Sequence, residues 1–125
     1  MYTLRFDEQS NAADWVDHWQ IIGENGEPAN IYADGWAVKV RINTTPRASR
    51  SGHYYGAADQ SGEFLIASTD DGTLTVNSDD ALEWRFTASQ MSRLPPGAYA
   101  VSCIATKAGQ TVQLFLGTLP IIQGV

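Results

Sequence analysis

Residues 82–125 read LEWRFTASQMSRLPPGAYAVSCIATKAGQTVQLFLGTLPIIQGV. Leu82, Trp84 and Phe86 alternate with Glu83, Arg85 and Thr87, the period-2 signature of a half-buried strand. A short helical turn is expected next, with Thr87 or Ser89 accepting from its first free amides. Leu94-Pro95-Pro96-Gly97 ends that turn, because neither proline can donate and Gly97 can take a positive φ. A second strand starts at Ala98, and a two-residue turn, Ala108-Gly109, leads into a third.

Working back from this stretch, the same alternation recurs. Tyr2, Leu4 and Phe6 alternate with Thr3, Arg5 and Asp7 and mark a first strand, and residues 9–14 are polar and turn-like. Residues 15–22 form the next strand, with Trp15, Asp17, Trp19 and Ile21 on one face and Val16, His18, Gln20 and Ile22 on the other. Those faces are not cleanly separated, which leaves open a strand covered on both sides or one carrying a bulge. Residues 23–28 carry turn chemistry, with Asn25-Gly26 the expected hairpin point. In residues 36–42, Trp36, Val38, Val40 and Ile42 point one way and Lys39 and Arg41 the other. A slip of one residue would expose all four apolar groups, so the register is well determined. Strands are also expected at 63–68 and 74–76, separated by turns at 70–72 and 77–80. A tyrosine entering a strand after a Leu/Pro/Gly turn has the form of a tyrosine corner, which places Tyr99, Val101 and Cys103 inward. The expectation is one all-β domain over residues 1–125: an immunoglobulin-like β-sandwich of seven to eight mostly antiparallel strands, with one short helical turn before Leu94. Its core should hold Trp36, Val38, Val40, Trp84, Phe86, Tyr99, Val101 and Leu114 together.

The chain has 125 residues, 43% of them apolar, and a formal net charge of −6. A chain of this size buries roughly two-thirds of its unfolded surface, enough for a real core. The acidic balance argues against nucleic acid or an anionic membrane as the main partner, since both select basic surfaces. No run reaches the roughly 20 apolar residues of a membrane helix, and the first residues lack the pattern of a signal peptide. With Cys103 alone, neither a disulfide nor a thiolate metal cluster can be built; it reads as a small buried hydrophobe. His18 and His53 are isolated, and Asp70, Asp71, Asp79 and Asp80 sit where turns want aspartate. No metal, no cofactor and no enzymatic activity are therefore expected. Trp36 and Trp84 belong to clean core faces, whereas Trp15 and Trp19 stay open between the core and a sugar-stacking platform. Residues 43–62 are the weakest-patterned stretch. Arg47, Arg50, His53, Tyr54 and Tyr55 within it are of types enriched at protein interfaces, and they are the candidate partner-binding residues.

Several motifs then occur in a telling order: Asn11-Ala12-Ala13-Asp14-Trp15, Asn25-Gly26-Glu27-Pro28, and Asp34-Gly35-Trp36-Ala37-Val38-Lys39-Val40-Arg41-Ile42. They are followed by Leu82-Glu83-Trp84-Arg85-Phe86, by 89–99 (SQMSRLPPGAY), by 114–121 (LFLGTLPI) and by a closing Gly124-Val125. In this order they resemble a family of phage and prophage tail or baseplate proteins, and the chain is similar to the N-terminal domain of baseplate upper proteins. The resemblance spans nearly the whole chain but does not extend to residues 43–62, and Ser102 stands near where the family usually has an acidic residue. It implies a structural, non-enzymatic role in a virion tail, in a protein made in the bacterial host cytoplasm. The partners it implies are other phage tail proteins, with a homo-oligomer as an option. The rival reading is a small carbohydrate-binding module using Trp15, Trp19, Tyr54 and Tyr55.

Overall fold

A computed structural model describes residues 2–23, 26–27, 29–46 and 63–124, with only the backbone of Tyr2. Among the described residues there are nine strands and one short helix. In chain order these are β1 (Tyr2–Arg5), β2 (Gln9–Ser10), β3 (Trp15–Gln20), β4 (Ala37–Asn43), β5 (Phe64–Ser68), β6 (Leu74–Val76), β7 (Ala81–Phe86), α1 (Ala88–Met91), β8 (Gly97–Lys107) and β9 (Gln110–Ile122). The larger sheet runs β1-β9-β8-β4-β5, with β2 also on β9; the smaller runs β3-β7-β6. The protein is all-β, and most pairings are antiparallel. β1 and β2 are the exceptions, both lying parallel to β9.

The two sheets meet across an aromatic centre. The Phe6 ring, just past β1, packs edge-on against Trp15 of β3 at 5.3 Å and Trp84 of β7 at 6.2 Å, and also against Phe115 of β9 at 5.9 Å. Trp15 and Phe86 stack at 5.7 Å. Edge-on contacts suit ring quadrupoles and add to the roughly 1.5–3 kcal/mol that burying each large apolar side chain contributes. Gly117 lets Phe6 cross β9 so closely: a β-carbon there would lie 2.6 Å from the Phe6 ring.

The clean alternations hold. Val38, Val40, Ile42, Leu82, Trp84, Phe86, Tyr99, Val101 and Cys103 are all buried in one core. Leu114 joins them beside Phe115, because a bulge opposite Cys103 and Ile104 turns two consecutive residues inward. The Tyr99 hydroxyl donates to the Pro95 carbonyl at 2.5 Å, closing the corner read from the sequence. Thr87 caps α1, its hydroxyl accepting from the Gln90 amide while the Gln90 side chain accepts from the Thr87 amide. Ala108 and Gly109 both have positive φ, as the tight turn between β8 and β9 requires.

Other expectations need correcting. Among the described residues strands number nine rather than seven to eight, because the first expected strand breaks after Arg5 and the polar segment beyond it returns to the sheet as β2. Pro120 is tolerated inside β9 for the same reason. The carbonyls of Thr118 and Ile122 face the β1/β2 side, accepting from Phe6 and Asn11, so by alternation the Pro120 nitrogen faces the gap between β1 and β2. No hairpin joins β3 to β4: β3 pairs with β7 and β4 with β5 and β8, so residues 21–36 carry the chain from one sheet to the other. Asn25 itself lies outside the described residues. Trp36 precedes β4 and is half-buried rather than central, its amide donating to the Ile31 carbonyl. β3 is neither covered on both sides nor bulged. Trp15 is buried, while Val16 on the opposite face is 56% exposed.

Candidate interaction surface

Arg47, Arg50, His53, Tyr54 and Tyr55 lie outside the described residues. The remaining candidates can be placed. Cys103 is buried in the core, and burial pushes its thiol up to about 12, so neutral pH provides no thiolate. His18 is exposed on the outer face of β3. Asp71 accepts from the Thr73 amide and hydroxyl, which holds its carboxyl below the usual range. Among the described residues no group of three or more His, Cys, Asp or Glu could hold a metal ion. Trp15 is 1% exposed and so offers no ring face to a sugar.

Asp80 does more than serve a turn. It is 6% exposed, and its two carboxylate oxygens accept from the Asn30 amide at 3.0 Å and the Tyr32 amide at 2.9 Å. Its own carbonyl accepts from Ile21. The β6–β7 turn thereby grips the crossing segment some fifty residues away in sequence. This is a fastening, and it leaves the carboxylate occupied.

The outer faces of the two sheets differ in charge. The six strands of the larger sheet contain no Asp or Glu. Their outward positions carry Arg5, Lys39 and Arg41, which alternate with the inward Leu4, Val38 and Val40. The register lines up Thr3, Leu116, Ser102, Arg41 and Ile66 as one row across five strands. Leu116 is 37% exposed and Ile66 40%. Between them the Arg41 guanidinium lies over the Phe64 ring, 4.8 Å from its centre, with Nε sealed from water and without a hydrogen bond. Stacking of this kind holds a guanidinium in place. Among the described residues no ion pair joins Arg5, Lys39 or Arg41 to a carboxylate; the two formed there take Arg85 to Asp14 and Arg93 to Glu63.

The smaller sheet's outer face has the opposite character. Glu83 stands at its centre beside the exposed Val16 and His18, and Asp71 and Asp79 lie on the flanking turns. Arg85 on the same face is neutralised by Asp14, whose second oxygen accepts from the Ala88 amide at the start of α1. The Arg85 hydrogen bond is the main cause holding the Asp14 carboxyl below its ordinary value, and the Ala88 amide adds to it.

Residue type alone points to the long loop rather than to the outer face of the larger sheet. A signal was nonetheless present, because Glu83 is the last acidic residue in the chain. The 42 residues that follow it carry three of the chain's eight Lys and Arg and no carboxylate side chain.

No family model matches the chain, and a search of curated proteins returns no match.

Proposed function

We propose that the chain is a structural, non-enzymatic component of a phage or prophage tail or baseplate, built on an immunoglobulin-like sandwich and working by protein–protein assembly. The ordered motifs from Asn11 to Gly124 support the tail family. The facing sheets β1-β9-β8-β4-β5 and β3-β7-β6, with the Tyr99 corner leading into β8, support the immunoglobulin-like architecture. Virion tail proteins are its partners on this reading, and neither nucleic acid nor membrane is.

The observation that carries the assembly reading is the outer face of the larger sheet. A domain with net charge −6 keeps every carboxylate side chain out of six strands, leaves Leu116 and Ile66 exposed there, and seats a stacked arginine between them. Arginine with apolar neighbours, free of acids, is the composition of a protein-binding patch. The test is to tag the chain in its phage or lysogen, purify tail particles and measure tag per particle. The tag should remain in washed particles at a fixed ratio, and a deletion strain should stall in tail assembly. Complete particles without the protein, from a strain that expresses it, would refute the reading.

A further inference from the structure

We infer that the occupant of the larger sheet's outer face is the smaller sheet's outer face of a second copy of this chain, in a head-to-tail contact. The inference rests on the assembly reading above and names its partner. Its basis is charge complementarity between two faces on opposite sides of one domain. One face presents Arg5, Lys39 and Arg41 with no acid on its strands. The other presents Glu83, with Asp71 and Asp79 at its rim, and its single arginine is already engaged by Asp14.

The apolar parts match as well. Leu116 and Ile66 flank Arg41 on the first face, and Val16, 56% exposed, stands beside the row of Glu83 on the second. Arg41 enters such a contact already oriented by the Phe64 ring, and its terminal nitrogens make no hydrogen bond to a described residue. A planar, pre-oriented guanidinium is the side chain best suited to grip a carboxylate with two hydrogen bonds. The faces differ, so the contact is heterologous. Copies joined this way continue into a ring or an open stack, whereas an isologous contact would stop at a dimer.

The test is sedimentation velocity on the full chain across concentration, at about 10 mM and about 1 M salt, where the Debye length falls from about 30 Å to about 3 Å. The wild type should form species beyond a dimer at low salt and revert toward monomer at high salt. Two capped variants then probe the faces separately. Lys39→Glu with Arg41→Glu blocks the first face, with Arg5→Glu and Lys39→Glu as a second version that leaves the Phe64 stack intact. Glu83→Lys with Asp79→Lys blocks the other face. Each variant alone should associate at least about tenfold more weakly, as expected when steering charges are reversed. An equimolar mixture of the two kinds should recover the association that each lacks alone, because it pairs one intact face of each sort and also sets the reversed Glu face against the reversed Lys face. A wild type that stays monomeric at sub-millimolar concentration and low salt overturns the inference, as does association that both variants retain or a mixture that recovers none. Tail incorporation of the wild type is scored independently, so the loss of this contact and the loss of the assembly reading are told apart.

Discussion

Replacing Asp80 probes how the crossing segment is held. Its carboxylate accepts from two main-chain amides, those of Asn30 and Tyr32, and the residue sits at φ +62°. Hydrogen bonds to a charged acceptor contribute about 1.5–3 kcal/mol each when desolvated. Asn30 and Tyr32 are themselves exposed, so water recovers part of any loss, and half of that range is the fair expectation for each bond. Asp80→Asn keeps the volume and tolerates the left-handed backbone, but it turns one acceptor into a donor that faces an N–H. It should destabilise by about 1–2 kcal/mol. Asp80→Ala loses both acceptors, while the β-carbon at positive φ is common to the two residues. It should therefore destabilise by about 1.5–3 kcal/mol. Urea unfolding followed by tryptophan fluorescence measures both, with m-values expected to stay constant. Hydrogen exchange at the Asn30 and Tyr32 amides should rise in both variants before global exchange does. The reasoning fails if Asp80→Asn matches the wild type within about 0.5 kcal/mol, the usual scatter for a featureless surface change. It fails equally if Asp80→Ala is no worse than Asp80→Asn.

Gly117→Ala should destabilise by about 1–3 kcal/mol, because the new methyl displaces Phe6 from the centre of the aromatic cluster; an unchanged urea midpoint would contradict that packing. Cys103 should resist a thiol reagent at pH 8 in the native protein and react at once in denaturant, since its thiol is buried and pushed up to about 12. Because the unfolded thiol titrates near about 8.5, this group's contribution to stability is complete below that pH and is lost as pH rises above it; rapid native labelling would refute the burial. Asp14 is held low by Arg85 and Ala88, so its contribution is complete above the ordinary carboxylate value of about 3.9 and is lost as pH falls through the lower folded value. The stability gap between wild type and Asp14→Asn should therefore be constant from neutral pH to about 5 and shrink below about 4, and a gap indifferent to pH in urea titrations would exclude the assignment.

Much of the local structure was legible in the residues. β4, β7 and β8 follow from alternation, because a side chain's face within a strand depends only on its parity. The Thr87 cap, the Leu94–Gly97 stop, the Tyr99 corner and the Ala108-Gly109 turn are equally local, each made by groups within a few residues of one another. What parity cannot reveal is which strands become neighbours. That β1 and β2 lie parallel on β9, and that residues 21–36 cross between sheets, rests on pairing between distant segments. Asp80 shows the limit most sharply: its sequence neighbours identify a turn, while the amides that occupy its carboxylate lie at Asn30 and Tyr32. Trp15 and Trp19 could not be assigned for the same reason, since the burial of Trp15 comes from Phe6, Trp84 and Phe86, brought together only by the closing of two sheets. The candidate surface divides along the same line. Lys39 and Arg41 were readable as the outward face of one strand, and the lack of acids after Glu83 stands in the sequence. Only the order β1-β9-β8-β4-β5 sets Arg5, Lys39, Arg41, Leu116 and Ile66 on one continuous face. Hydrogen-bonded strands lie about 4.8 Å apart, so residues remote in the chain become neighbours only once the sheet has formed.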